Sequence, residues 1–419
     1  MKRIPLLLAS LLLLAGCTAP AQSTASAPAE TPAAPVETTA DPAGVGDVHM
    51  LTNCYDGGQY RSCYMPSGSY CVNKIDYTTA TAHNMCQIPG CQHATSDCPV
   101  VSAGHLLVDG DTLWYPYIVH SDSEYAYALA AYTDGVTPPE HPLFAVTHYQ
   151  ADFVYFVNNV LAADEEYLYF VGNSNYAFGG AGPNGAEAYL FSAEKSTGLQ
   201  AQRLRLDTLL PGQNAYWSLL AAEGRSLYLR YSLSSDTTSG VYRYDLDTRQ
   251  CSPLPQLTCN EDPLGAPLCT PQVVYDLQQG SITAVDVLTG QRTLLTDTFP
   301  VGDGYTYAAA SFRDGWVLSY SFWSEQDAFT HQFFRAPDGT LTELSQQMYC
   351  DARGTTPVNI LDIQNGLVFL QYAYDTVPVS ACDYEGNPYT YDTFLPVYGI
   401  IPLQELLAGS QNYRELTFD

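Results

Sequence analysis

Basic residues are scarce. Sixteen Lys and Arg stand against 44 Asp and Glu in 419 residues, a formal net charge of −28. A surface this acidic repels phosphate backbones, which excludes nucleic acid as a partner. It also offers no basic patch for docking on an anionic membrane face. Charge of either sign is thin, at 14% of residues, against about 25% in an ordinary globular domain. Helical periodicity is scarce, so amphipathic helices do not build this chain. After residue 17 no apolar run approaches the ~20 residues that a membrane-spanning helix needs. Signatures of common enzymes are missing too: there is no G-x-S-x-G, no H-E-x-x-H, no P-loop and no calcium loop of the EF-hand type.

What is present begins at the amino terminus. Lys2 and Arg3 precede an almost wholly apolar run, Ile4 to Leu14, which leads into Leu14-Ala15-Gly16-Cys17. This is the layout of a secretory signal peptide over residues 1–16. The run ending in Cys17 resembles the lipobox of bacterial lipoproteins. The resemblance implies cleavage before Cys17, lipidation of its thiol, and a place on the extracytoplasmic face of the cell membrane. Loss of Lys2 and Arg3 with the signal takes the charge to about −30. Residues 17–47 are expected to be a lipidated, disordered tether. They are rich in Ala, Pro, Thr and Ser and hold no aromatic residue, so they cannot bury enough surface to offset ordering entropy.

From residue 48 the chain changes. Short runs alternate with period two, are rich in Tyr, Leu, Val and Phe, and close on Asp-Gly, Thr-Gly or similar turns. Tyrosine, with 33 copies, suits half-buried strands because its ring packs while its hydroxyl stays wet. A half-unit recurs: 106–115, 161–170, 220–229, 310–318 and 360–369. A second half, a strand ending in an acidic turn, recurs at 241–249 and 282–290. The spacing is that of a propeller or other array, in which stacked units bury faces that one unit cannot. The expectation is an all-β fold: a β-propeller domain over 48–419 with about seven blades, six or eight being possible. Candidate blades lie near 104–146, 160–205, 219–256, 270–296, 305–345 and 357–409. N-terminal strands at 58–86 would complete a blade with the C-terminal ones. The unit near 270–296 is short by one strand.

One cluster carries the chemistry of a candidate site. Cys86, Cys91, His93 and Cys98 lie in a C-x4-C-x-H-x4-C element within 86–99. Three thiols and an imidazole match a closed, structural zinc site in ligand type and number. The alternative is disulfides, which persist in an exported protein: Cys91 with Cys98, and Cys86 with Cys71 or Cys63. With Cys17 lipidated, eleven of twelve cysteines remain, an odd number that becomes eight if three serve another purpose. Cys54 and Cys63 flank a turn and make another candidate bridge. Cys251, Cys259 and Cys269 surround an irregular insertion that one bridge would staple.

A lipobox, a low-complexity tether, a Cys-x-x-Pro-x-Cys-x-His-x4-Cys element (Cys86, Pro89, Cys91, His93, Cys98) and then propeller units together resemble a group of uncharacterised lipoproteins of Gram-positive anaerobic bacteria. The blades also resemble propellers of the low-density-lipoprotein-receptor type. The resemblance implies a fold and a location, and brings no activity with it.

The function expected is therefore a lipid-anchored binding module at the bacterial cell envelope, held on the membrane by its lipid. Its ligand would be an extracellular glycan or protein. The alternatives are a glycan-active propeller hydrolase or lyase and a scaffold subunit of an envelope complex. Tyr176, Tyr216 and Trp217 are candidate ligand-stacking residues, with inter-blade packing as the plainer role for each. Asp164-Glu165-Glu166 is expected to be a solvated turn. His105, His120, His141, His148 and His331 are isolated in sequence and expected to be surface or packed histidines.

Overall fold

A computed structural model describes residues 46–418 except 65–69, 87–89, 92–105, 122–123, 134–143, 149–154, 157–159, 175, 178–179, 182–186, 198–199, 214, 234–237, 261–272, 279, 325–326, 351–353 and 383–386. The signal and tether expected over 1–47 lie almost wholly outside the described residues. Residues 43–419 form one compact unit.

The fold is the expected all-β propeller. Six sheets have four or more strands and a seventh has three, with two further two-stranded hairpins. In chain order, blade 1 begins at Cys54–Tyr55, blade 2 at Leu107–Asp109, blade 3 at Ala162–Ala163 and blade 4 at Ala215–Glu223. Blade 5 begins at Val273–Gln278, blade 6 at Tyr305–Phe312 and blade 7 at Asn359–Gln364. Blade 5, at the unit expected to be short, has three strands among the described residues. Its Asp286 oxygen accepts the Thr289 N–H and hydroxyl (2.7 and 2.8 Å). Asp245 and Thr248 make the same turn between the third and fourth strands of blade 4. The three strands of blade 5 thus correspond to the second, third and fourth of the other blades.

Alternation makes both faces of each sheet apolar, and seven buried clusters join the blades pairwise into a closed ring. Tyr60 and Val72 meet Leu106 and Leu113 between blades 1 and 2. Trp114 meets Phe170 between blades 2 and 3, and Leu190 meets Trp217 between blades 3 and 4. Tyr228 meets Val274, Ile282 meets Leu318, and Phe334 meets Val368 at the next three interfaces. Phe369 and Ile400 of blade 7 pack on Ile75 and Tyr77 of blade 1 and close the ring. The C-terminal strand Thr417–Phe418 adds to this seam by pairing in parallel with Thr81–Asn84 of blade 1. That is the expected completion of one blade by both chain ends.

A strap precedes blade 1. His49–Met50 pairs with Ala162–Ala163, the first strand of blade 3, on its axial side. Thr52 then bridges Val108 of blade 2. Before the strap, the Gly46 carbonyl accepts from Arg225 Nη1 at 2.8 Å.

Candidate functional site

An up-and-down blade has two ends. The turns from first to second and from third to fourth strand fall on one face of the ring, called lower here. The turn from second to third strand and the connection to the next blade fall on the upper face.

The lower face is tight and cross-linked. Lys195 of blade 3 bonds Asp109 of blade 2 at 2.6 Å. Arg225 of blade 4 reaches Asp164 of blade 3 at 3.3 Å and Asp247 at 3.1 Å. Asp314 of blade 6 accepts the Gly366 N–H of blade 7 at 2.7 Å, and Asn365 donates to Asp56 of blade 1 at 2.8 Å. Asp164 is 1% exposed, which corrects the solvated turn expected there. Its carboxylate accepts the Glu166 and Tyr167 N–H groups and the Tyr169 hydroxyl, so it is a structural acceptor held inside the turn. Only Glu165 and Glu166 face solvent.

A second buried carboxylate, Asp362, lies at the seam of blades 7 and 1. It accepts from the Tyr77 hydroxyl (2.7 Å), Gln364 Nε2 (3.0 Å) and the Ile363 N–H (2.8 Å). Burial pushes its carboxyl above the usual range, against the pull of those donors.

The upper face differs in kind. Ten of the eleven large hydrophobic side chains exposed among the described residues lie in its turns, strand tips or connections; Leu294, on the fourth strand of blade 5, is the exception. The reason is strand length. In blade 7 the second and third strands run Leu367–Cys382 and Pro388–Pro402, twice the length of their neighbours, so their upper halves rise beyond any covering blade. Tyr389, Tyr391 and Phe394 are exposed there. Trp323 (58% exposed) and Phe329 (37%) cap blade 6, and Tyr349 (66%) lies on the hairpin between blades 6 and 7.

On blade 6 the rings form a ladder. Tyr305, Phe322 and Phe329 are cross-strand partners in one row, and Tyr307, Tyr320 and His331 in the next. Phe322 stacks on Phe329 with centroids 5.4 Å apart, and Tyr320 on His331 at 5.0 Å. His331 Nδ1 lies 2.6 Å from Glu343 Oε1. His331, isolated in sequence, is thus paired and half-exposed. Burial, then the Glu343 charge, raise the Tyr320 hydroxyl above its ordinary range.

Other expected site residues fall as follows. Cys86 and Cys91 are both brought against the core between blades 1 and 2. His93 and Cys98 lie outside the described residues, so the four are not seen together. Among the described residues no group of three or more His, Cys, Asp or Glu is placed to hold a metal. Cys63 and Cys251 carry free thiols, each pushed up to about 12 by burial. The candidate bridges Cys54–Cys63 and Cys86–Cys63 are therefore not formed, and Cys251 does not staple the insertion. Cys63 pairs across the sheet with Cys71, whereas Cys54 pairs with Gln59, four positions away on the same strand as Cys63, or roughly 13 Å. Trp217 is fully buried between blades 3 and 4 and is core, not a stacking residue; Tyr216 beside it is exposed on the upper face. The side chain of Tyr176 lies outside the described set, as do those of His105, His120, His141 and His148.

Trp323, Phe329, Tyr349, Tyr389 and Tyr391 were not singled out by sequence. The Tyr-Thr-Tyr at 389–391, inside an alternating run too long for a blade, was the available signal.

No protein-family model and no curated protein matches the chain. Solved structures similar to it include an oligogalacturonate lyase in complex with manganese, at 11% identity and TM-score 0.32, covering 88% of this chain and 78% of that one. A prolyl oligopeptidase B from Galerina marginata has 10% identity and TM-score 0.42, covering 86% and 56%. A dipeptidyl peptidase 4 from Porphyromonas gingivalis has 10% identity and TM-score 0.38, covering 88% and 58%. The chain spans little more than half the length of these two peptidases. Likeness at this level concerns the fold alone.

Proposed function

We propose that this chain is a lipid-anchored binding module of the bacterial cell envelope, and that its ligand, a glycan or protein outside the cytoplasm, docks on the upper face of the propeller. One observation carries the reading: among the described residues, ten of the eleven exposed large apolar side chains gather on that single face. Scattered singly they would need no explanation, but gathered on one side they mark an interaction surface. Loops and strand tips can vary without disturbing the ring, so function sits there. The lipobox at Cys17 supports the location. Gly46 lies on the lower face, its carbonyl accepting from Arg225 of blade 4. The Cys86, Cys91, His93 and Cys98 element is proposed as a structural staple of the first two blades, through zinc or through disulfides.

The test is a binding screen of glycans and peptides with the mature chain, run with two sets of variants. Tyr389→Ser with Tyr391→Ser and Trp323→Ser changes the upper face. Glu165→Gln with Glu166→Gln and Asp111→Asn changes the lower. Binding lost in the first set and kept in the second supports the reading. The reverse, or no binding to any probe, overturns it.

A further inference from the structure

Blades 5 and 6 are unequal neighbours. The second and third strand positions of blade 5 hold six residues each, while those of blade 6 hold nine and eight. At about 3.3 Å per residue, blade 6 stands roughly 7–10 Å taller. The lower rows of its facing surface are covered: Phe299 packs on Tyr320 and Phe333, each at 5.0 Å. Above them, among the described residues, the row of Phe322 and Phe329 has no covering blade, and His331 at the edge of the Tyr320 row is half-exposed. They form a ladder of rings on one sheet face, with the His331–Glu343 pair at its edge and Glu343 54% exposed.

We propose that this overhang is a platform for an uncharged polysaccharide, whose sugar rings stack on Phe322, Phe329 and His331 and whose hydroxyls donate to the carboxylate of Glu343. The proposal rests on the reading of the upper face as the ligand surface and names the ligand class and place. Charge selects the class. Arg335, the basic residue on these strands, is turned to the lower end, where it donates to the Leu294 and Leu295 carbonyls. No cation borders the rings on the blade 6 strands, whereas Asp303 and Asp327 lie in the exposed segments beside them. A polyanionic chain would meet carboxylates without a counter-charge. Size argues against a protein: a few part-exposed rings present far less than the about 800 Å² that each partner contributes to a stable protein interface. A hexose needs one or two ring faces for its C–H groups, with a carboxylate oriented by His331 to accept its hydroxyl.

The test is affinity electrophoresis of the mature chain in gels holding a mixed-linkage β-glucan, a galactomannan or a xylan, with polygalacturonate and polylysine as charged probes. At least one neutral polysaccharide is expected to retard the protein. Phe329→Ala and Glu343→Ala should each cut that retardation about tenfold with the unfolding midpoint unchanged. Three results overturn the platform: retardation by the charged probes alone, no retardation by any neutral polymer, or neutral binding that both variants keep. If such binding is instead lost in Tyr389→Ser with Tyr391→Ser, the upper-face reading stands and the platform falls. Loss through the lower-face variants removes both.

Discussion

The two faces of this ring are made from the same strands and obey different rules. On the lower face the turns are short, and their carboxylates are consumed by local N–H groups and by the next blade. Asp164, Asp245, Asp286 and Asp314 all accept bonds there. On the upper face strands outrun their neighbours and end in exposed rings. Acidic residues on the lower side hold blades together, and aromatic residues on the upper side are left over from packing. Residue type alone does not tell a working side chain from a structural one. The decisive quantity is whether the neighbouring blade is tall enough to cover it.

Two tryptophans make the point, and give the largest expected effect. Trp217 is 0% exposed and Trp323 is 58% exposed. Trp217→Ala should cost about 3–5 kcal/mol in unfolding free energy through the cavity it leaves. Trp323→Ala should stay within about 0.5 kcal/mol. Urea titration of both checks this, and equal losses would break the distinction between the faces.

Next in size is Asp164→Ala. It leaves the Tyr169 hydroxyl without its acceptor and Arg225 without one partner, at about 2–3 kcal/mol. Glu165→Ala, one residue on and exposed, should be near neutral. A denaturation midpoint for each variant distinguishes a structural turn from a solvated one.

A smaller effect depends on pH. Hydrogen bonds from Thr79 and Thr248 hold the Asp76 and Asp245 carboxyls below their ordinary value of 3.8. The unfolded chain then binds more protons than the folded one, so these turns add stability above that value and lose it as pH falls through their folded values. Asp362 is raised by burial, so its contribution has the opposite sign: full below about 3.8 and lost as pH rises through its folded value. Stability of wild type and of Asp76→Asn with Asp245→Asn, compared between about pH 5 and pH 3, should show less acid loss in the variant. Equal loss would mean that the lower turns do not set the acid limb.

The smallest stability effect is expected at Tyr389→Ser with Tyr391→Ser, within about 0.5 kcal/mol. Calorimetry should show an unchanged midpoint, and a large drop would show the tall hairpin to be part of the folding core.

Much of the fold was legible because it is local. Period-two runs, Asp-Gly turns and the Asp-x-x-Thr turns of blades 1, 4 and 5 recur in sequence, and the three described strands of blade 5 showed as a short unit. Burial was less legible because it is set across blades. Trp217 and Tyr216 are adjacent in one strand yet fall on opposite sides of the core boundary. Asp164 and Glu165 differ because only Asp164 folds back onto its own turn. The Cys54–Cys63 pairing failed on register, which sequence spacing does not reveal. Residues of the upper face were missed because their exposure follows from unequal strand lengths in neighbouring blades.

The central claim, that the upper face takes the ligand, is tested most directly by amide hydrogen exchange of the mature chain with and without the neutral polysaccharide fraction of the host envelope. The account predicts slower exchange in peptides spanning 318–331, 341–344 or 376–395, and unchanged exchange in those spanning 109–113, 163–167 and 223–226. Protection confined to the lower turns, or none on the upper face when the polysaccharide is bound, would contradict it.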